Sequence, residues 1–340
     1  MKLDRTFDEY RPETLRDELL SIESAGYDGV VFGEGAFEPL VPLAAATQHT
    51  KTVDLLTGVL VAFPRSPTHV AYAANDLQRL SDGRFILGLG SQVKAHVERR
   101  FGSTWSRPAA RMREYILAVR AVFEAWRADS SLSFHGDFYD LSLMTPYFTP
   151  IMGEYRDPPI WLAAVGPRMC KVAGEVADGL FVHPFMSVDS LRQVRGWADP
   201  DDNERSTELG VAMPIMIGVG ASNGELAHAV EKVRYQIAWY GSTPAYRGVL
   251  ELHGWGDLAR DLHLLSKQER WTEMSALIDD EVLSTFSLVG SPERVGTDIT
   301  RRFKGLLTRA IVYTPGYRLT SESSARLATT FHEAMSTRDD

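Results

Sequence analysis

A glycine pair followed by basic residues, in the first third of the chain, has the composition of a turn that approaches an anion. Gly88 and Gly90 end an apolar run in FILGLGSQVKAHVERRFG, residues 85–102. Glycines at the end of such a run indicate a tight turn or a close backbone approach. Four basic side chains follow within ten residues: Lys94, His96, Arg99 and Arg100. The alternative is an ordinary strand, turn and polar helix face, with Arg99 and Arg100 in solvent.

A second stretch, AAVGPRMCKVAGEVADG, has the pattern of a phosphate-binding turn. It places Gly166 and Pro167 at the start of a helix, with Ala164 and Val165 before them and Arg168 after them. The free N–H groups and the dipole of a helix N-terminus favour a phosphate, and Arg168 could add a charge-assisted hydrogen bond. A simple Gly-Pro entry into a helix is the alternative.

The elements that must position these residues alternate between strands and helices. Eight strands are predicted, at residues 1–6, 28–34, 53–62, 84–90, 158–165, 179–185, 209–219 and 309–315. Helices are predicted between them, the first from Pro12 to Ala25 with Leu15, Leu19 and Ile22 on one face, and a hairpin is predicted over 131–143. This alternation predicts a parallel sheet closed into a single (β/α)₈ TIM barrel over residues 1–340, with insertions.

Two further points refine that prediction. An open, doubly wound sheet is disfavoured because its dinucleotide loop needs G-x-G-x-x-G, and Val93 stands where the third glycine would be. Residues 224–285 are predicted to be a helical insertion that covers the barrel mouth as a lid.

The active site of such a barrel lies at the carboxyl ends of the strands. Glu34 is the first candidate proton donor, with Lys94 or His96 as the second. Glu34 could equally be a structural carboxylate that holds a backbone turn. The residues predicted to contact substrate are Phe37, Phe63, Tyr246, His253 and Trp255.

The composition restricts the function. The chain has 340 residues and a net charge of −9, which disfavours a nucleic-acid footprint. The nine histidines form no HExxH or other close pair, so no protein-held metal is expected. The single cysteine, Cys170, is expected to be an inert thiol on an apolar helix face. No membrane span or signal core is visible, so we expect a cytoplasmic protein.

Several blocks together resemble the bacterial luciferase-like superfamily, most closely its actinobacterial branch of coenzyme F420-dependent oxidoreductases. They are GYDGVVFGE, LLTGVLVAFPRSP, LSDGRFILGLG with its continuation SQVKAHVERRFG, RPAARMREYILAVRAVFEAW and LAAVGPRMCKVAGEVADGLFVHPF. The likeness covers nearly the whole chain, and LSDGRFILGLG is its strongest motif.

The resemblance implies a barrel that binds a flavin or deazaflavin at its carboxyl end, and a homodimer. It implies a cis peptide between Gly58 and Val59 behind the ring. It implies that Gly58, Val59, Ser91, Lys94, Ala164, Val165, Gly166 and Arg168 bind the cofactor. Their places at the ends of predicted strands add Gly90, Pro167 and His183 to the predicted cofactor-binding residues. The chain departs from its relatives after strand two, where EGAFEP lacks the histidine that some of them use as a catalytic base.

We therefore expect hydride transfer between C5 of coenzyme F420 and a small or medium organic substrate, with reduction of an activated C=C or C=N bond favoured. One alternative is a two-component monooxygenase that uses FMN, supplied as FMNH₂ by a flavin reductase partner. Another is a non-catalytic flavin-binding protein.

Overall fold

Strands and helices alternate along the chain as predicted. The computed structural model describes residues 1–7, 9–199 and 209–337. The strands are β1 Lys2–Phe7, β2 Gly29–Phe32, β3 Asp54–Thr57, β4 Leu60–Val61, β5 Phe85–Gly90, β6 Phe134–His135, β7 Asp140–Leu141, β8 Ile160–Ala163, β9 Gly179–Phe181, β10 Gly210–Val219, β11 Ser287–Gly290 and β12 Arg309–Tyr313.

The helices fall into two groups. Those that follow the strands around the barrel are α1 Leu15–Ser24, α2 Leu40–His49, α3 Pro67–Leu80, α4 Lys94–Arg99, α5 Pro108–Arg127, α6 Pro167–Val176, α7 Val188–Ala198, α13 Pro292–Phe303 and α14 Ser321–Ser336. Those between β10 and β11 are α8 Asn223–Gly241, α9 Arg247–Glu251, α10 Gly256–Lys267, α11 Trp271–Ala276 and α12 Asp280–Phe286.

Eight parallel strands close into a barrel, which confirms the predicted fold. The order around the ring is β1, β2, β3, β5, β8, β9, β10 and β12, and β12 pairs with β1 again. The helices cover the outside, as α1 illustrates: Leu15, Leu19 and Ile22 are its buried face, as their spacing predicts. The hairpin also forms, from β6 and β7.

Apolar side chains fill the inside of the barrel. Val31, Leu56, Ile86, Trp161, Phe181, Ala212 and Ile311 form one buried cluster there. At the amino-terminal end of the strands the interior is charged: the Arg309 guanidinium donates to both oxygens of fully buried Asp4, at 2.6 and 2.7 Å, and to Asp54 at 2.7 Å. Burial alone would lower the pKa of Arg309, but Asp4 and Asp54 outweigh it and raise that pKa. The amino-terminal end is therefore closed, and a ligand must enter from the carboxyl end.

The structure corrects two predicted elements. The strand predicted over 53–62 is two strands, β3 and β4, interrupted at Gly58 and Val59. The short strand β11 and the helix α13 that follows it were not predicted. β11 has only four residues, and they pair only with Met216–Val219 of β10. Neither changes the ring of eight strands. The sequence also predicts an acidic loop at residues 196–208, GWADPDDNERSTE, and this stretch lies mostly outside the described residues.

The segment predicted as an insertion is helical, as expected. Its helices α8 to α12 share a buried apolar cluster with Phe185 and Met216 of the barrel. The segment therefore packs directly on the carboxyl end of the strands.

Candidate active site at the carboxyl end of the barrel

A cavity of about 550 Å³ opens where the barrel strands end. Its volume is that of an ordinary small-molecule site. Its lining includes seven residues predicted from the sequence, namely Glu34, Phe37, Gly58, Val59, Ala164, Val165 and His183. Residues contributed by β1, β10 and β12, and by the helical segment, complete the wall: Thr6, Phe7, Pro214, Tyr313 and Tyr240.

One wall of the cavity is the break between β3 and β4. The Gly58–Val59 peptide bond is cis, as the resemblance implies. A Cβ on Gly58 would lie 2.2 Å from Cγ1 of Val31, so a side chain has no room there. Behind this wall, a Cβ on Gly90 would lie 2.5 Å from Cγ2 of Val59. Gly90 does not line the cavity but makes space for the residue that does.

Gly88 joins β3 to β5 by a close backbone approach. Thr57 Oγ1 accepts from the Gly88 N–H at 2.7 Å and donates to the Gly88 carbonyl at 2.8 Å. A Cβ on Gly88 would lie 1.9 Å from the Thr57 carbonyl oxygen. The glycine pair of the GLG motif is thus explained by packing beneath the cavity wall, since neither glycine lines the cavity.

Glu34 is held as a structural carboxylate. Its Oε2 accepts from the Val61 N–H at 2.7 Å, and Arg65 donates to both of its oxygens at 2.8 and 3.1 Å. Arg65 also donates to the Val61 carbonyl and to Glu38. The Glu34 side chain is only 5% exposed, and the Arg65 guanidinium is its charged partner. These contacts favour the turn-holding role over proton donation, and they fix the chain from 58 to 61.

The predicted phosphate turn is an open helix N-terminus. Gly166 caps the ten-residue helix α6, no side chain caps its first turn, and Pro167 follows. A Cβ on Gly166 would meet nothing within 4 Å. Gly166, Pro167 and Arg168 are exposed, and the adjacent Ala164 and Val165 line the cavity. The first N–H groups of α6 are therefore accessible to an anion at the cavity edge.

His183 is packed among aromatic rings at the end of β9. Its ring is stacked on Tyr246 at 4.2 Å between centroids and meets the edge of Tyr240 at 4.7 Å. Nδ1 accepts from the Phe185 N–H at 3.1 Å. Burial lowers the pKa of His183 to about 3 and raises that of Tyr246 to about 12, so both groups are neutral near pH 7.

Other predicted residues lie away from the cavity. Lys94 and His96 are exposed on α4, and Lys94 Nζ lies 3.9 Å from Glu98. Ser91 donates to the Gln92 carbonyl. Phe63 is buried against Trp105. Contact of these side chains with cofactor or substrate stays a prediction.

His253 and Trp255 also point elsewhere. Their rings stack on each other at 5.0 Å and pack against Phe286, and His253 Nε2 lies 2.8 Å from Ser187 Oγ. They join the helical segment to the barrel, whereas Tyr246 stacks on His183, a residue that lines the cavity, without lining it itself.

Sequence reasoning did not select two residues that shape the site: Arg65, which fixes Glu34, and Tyr240, which lines the cavity. Gln92, which follows the fourth predicted strand, also lines the cavity and adopts a positive φ of 59°. Arg65 lies only four residues beyond β4, and this position near the carboxyl end of a strand could have identified it as a site residue. Tyr240 comes from α8, in the segment predicted to cover the barrel mouth, but no local pattern distinguishes this side chain from its neighbours.

A larger polar groove of about 860 Å³ adjoins the cavity. It runs beside α1 and the segment after β12, and it shares Thr6, Phe7 and Tyr313 with the cavity. Three of its charged side chains pair with one another, since Arg318 donates to Glu9 at 2.6 Å and to Glu18 at 3.4 Å. The groove therefore offers less unbalanced charge to a ligand than the α6 turn does.

The residues present fit a flavin-type cofactor. The cavity is walled by small and apolar residues at Gly58, Val59, Ala163 and Ala164, and the α6 N-terminus stands at its edge for a phosphate. Within residues 1–7, 9–199 and 209–337, no cluster of His, Cys, Asp or Glu side chains could hold a metal ion. In the same residues, no helix is both long and apolar enough to cross a membrane.

Comparison with known proteins agrees with this geometry. The family model for luciferase-like monooxygenases matches residues 6–309. An uncharacterized protein of Mycobacterium tuberculosis is 43% identical over 301 residues, which are 87% of this chain and 88% of that protein. An F420-dependent glucose-6-phosphate dehydrogenase of Amycolatopsis mediterranei is 31% identical over 186 residues, 51% of this chain and 54% of that enzyme.

Among solved structures, the fold is similar to that of a coenzyme F420-dependent tetrahydromethanopterin reductase from Methanopyrus kandleri. The TM-score is 0.80 at 18% identity, over 98% of both chains. The fold and site define a (β/α)₈-barrel enzyme with a flavin-type cavity. The chain belongs to the luciferase-like monooxygenase family.

Proposed function

We propose that this chain is a coenzyme F420-dependent oxidoreductase. It transfers a hydride between C5 of the deazaflavin and a small or medium organic substrate, and it favours reduction of an activated C=C or C=N bond. The observation that carries the proposal is the cavity itself, where the Gly58–Val59 wall and the α6 N-terminus stand at one opening. The relative named as an F420-dependent dehydrogenase supports the choice of cofactor.

The bound deazaflavin supplies the hydride chemistry, and the protein supplies position and environment. The wall at Gly58 and Val59 gives the ring a surface to lie on, and the Glu34–Arg65 pair fixes that wall. The α6 turn, with Arg168 beside it, accepts the phosphate. His183 and Tyr240 line the cavity and Tyr246 is stacked on His183, so these rings would help to keep water from the reacting atoms.

Reduction is favoured over alcohol oxidation because the site lacks a free general base in its described part. EGAFEP has no histidine, Glu34 is paired with Arg65, and burial keeps His183 neutral and weakly basic. Oxidation of an alcohol needs a group that accepts the hydroxyl proton.

An FMN-dependent monooxygenase is the second candidate, favoured by the family's description. Titration of the purified protein with F420 and with FMN, in both redox states and followed by fluorescence, separates the two. We expect micromolar binding of F420. Micromolar binding of FMN without binding of F420 would reject the proposed cofactor, and oxygen consumption with FMNH₂ would then support the monooxygenase.

The phosphate turn has its own test. Gly166→Asp places a carboxylate where the phosphate would lie and should weaken F420 binding by about tenfold or more, equivalent to about 1.4 kcal/mol. Gly166→Ala is the matched control, because its Cβ meets nothing within 4 Å and adds no charge. Equal affinities of the two variants would show that the turn does not anchor the cofactor.

A further inference from the structure

His183 is held in one orientation and one tautomer. It follows β9 directly and lines the cavity. Because the Phe185 N–H donates to Nδ1, that nitrogen carries a lone pair, and in the neutral ring the proton is on Nε2. Tyr246 covers one face of the imidazole and the edge of Tyr240 limits its rotation. In the described residues, His183 Nε2 has no hydrogen-bond partner.

The surroundings keep this imidazole neutral. The groups packed against it from the helical segment are the phenol rings of Tyr240 and Tyr246, and the pKa of Tyr246 is raised to about 12. The carboxylate that shares the cavity, Glu34, is paired with Arg65. Burial is the cause of the lowered His183 pKa, and no charged neighbour among residues 1–7, 9–199 and 209–337 contributes. The ring can donate a hydrogen bond but does not carry a positive charge at neutral pH.

We propose that His183 is a catalytic hydrogen-bond donor, whose Nε2–H polarises the carbonyl oxygen or imine nitrogen of the substrate's activated double bond. This inference rests on the proposed function, and it specifies substrates whose activated double bond carries a carbonyl oxygen or an imine nitrogen as hydrogen-bond acceptor. The candidates Lys94 and His96 lie outside the cavity and Glu34 is already bonded, so none of them competes for this role. Gln92 does line the cavity, but its Oε1 accepts from its neighbour's N–H, Val93, which folds the side chain back on its own loop.

The chemistry balances without proton loss from His183. A reduced deazaflavin would supply the hydride, which the β-carbon of an enone would accept in a new C–H bond. The C=C electrons would shift toward the carbonyl carbon, and the C=O π pair would move to the oxygen. His183 would stabilise the negative charge on that oxygen by its hydrogen bond until solvent supplies a proton to the α-carbon after the hydride transfer. The oxidised deazaflavin would release one proton in exchange, so that the saturated ketone forms with no net change of charge. A preoriented donor in a water-poor site is worth about 10²–10³ in rate.

The direct test is nuclear magnetic resonance of protein labelled with ¹⁵N-histidine, with the His183 signals assigned by their loss in His183→Asn. We expect the Nε2–H tautomer and no titration between pH 5 and 8. Adding 2-cyclohexen-1-one to the complex with oxidised F420 should shift the Nε2–H signal. An imidazolium, an Nδ1–H tautomer, or no shift at the solubility limit of the enone would overturn the proposal.

A matched pair of variants separates this role from cofactor binding. His183→Asn keeps an acceptor for the Phe185 N–H but has no donor at the ε position, whereas His183→Gln keeps a donor near that position. With reduced F420 and 2-cyclohexen-1-one, the Asn variant should lose about 100-fold in kcat/KM and the Gln variant less than tenfold. His135→Asn, at an exposed histidine of the β6–β7 hairpin that does not line the cavity, should change the rate less than threefold.

The F420 affinity of each variant, measured by fluorescence, decides the remaining outcomes. Unchanged affinity with a lower rate supports the donor role. Loss of affinity in proportion to the rate would make His183 a cofactor-binding residue, and equal rates in all variants would also reject the proposal. If the unmodified protein does not bind F420, the proposed function is rejected. The tautomer of His183 and its lack of titration are measured without cofactor, so they test the state of this side chain separately.

Discussion

Removing the Arg65 guanidinium should destabilise the protein through the carboxylate it leaves behind. In Arg65→Met, Glu34 keeps only the Val61 N–H as a donor while remaining almost fully buried. Breaking a fully buried ion pair costs about 3–5 kcal/mol. Because the Arg65 side chain is 20% exposed and water can partly replace it, we expect about 3 kcal/mol, at the lower end of that range.

This loss converts into a measurable shift. The unfolding entropy of 340 residues is about 0.7 kcal/mol/K, so about 3 kcal/mol lowers Tm by about 4 °C. Thermal unfolding followed by circular dichroism measures it. Arg192→Met is the matched control, because Arg192 and its partner Asp189 are both more than half exposed and that pair should contribute less than about 1 kcal/mol.

A second substitution tests the reason for the shift. Adding Glu34→Gln to Arg65→Met removes the stranded charge and should recover part of the lost Tm, as the double-mutant cycle would show. If Arg65→Met leaves Tm within 1 °C of the unmodified protein, or if the double variant is no more stable than the single one, the buried carboxylate is not what Arg65 stabilises.

Three further predictions follow from the packing. Gly88→Ala should lower the free energy of unfolding, measured in urea, by more than about 3 kcal/mol, because its Cβ would collide with the Thr57 carbonyl. Gly196→Ala is the control and should leave that free energy unchanged or raise it, because nothing lies within 4 Å of its Cβ. Equal effects of the two substitutions would contradict this explanation. Cys170 is buried and burial raises its pKa to about 12, so Ellman's reagent should react only after unfolding, and rapid labelling of the native protein would refute the buried position. Lowering the pH from about 6.5 toward 3 should reduce the free energy of unfolding, because His183 is protonated in the unfolded chain but not in the folded chain. This group changes the free energy of unfolding by at most about 1.4 kcal/mol per pH unit, and His183→Asn should lack its contribution to the pH dependence.

Local patterns were enough to predict the barrel. Strand and helix signals alternate along the chain, and the eight predicted strands are those of the ring. The break within the third strand was visible only through the family resemblance at Gly58 and Val59, because the apolar run continues through it. β11 was missed because four residues that pair with one end of a neighbouring strand carry little periodic signal.

The site was less predictable because it depends on contacts between distant segments. The role of Glu34 is decided by Arg65, 31 residues away, and the environment of His183 by Tyr240 and Tyr246 on the helical segment. In contrast, the α6 turn could be predicted from Gly166 and Pro167 alone, because a helix N-terminus is a local structure.

The most direct test of the account is a crystal structure of the protein with F420. We expect the deazaflavin ring against Gly58 and Val59, and the phosphate at the N-terminus of α6. A ring bound elsewhere, a phosphate away from Gly166, or a cavity that stays empty at saturating F420 would contradict the central claim.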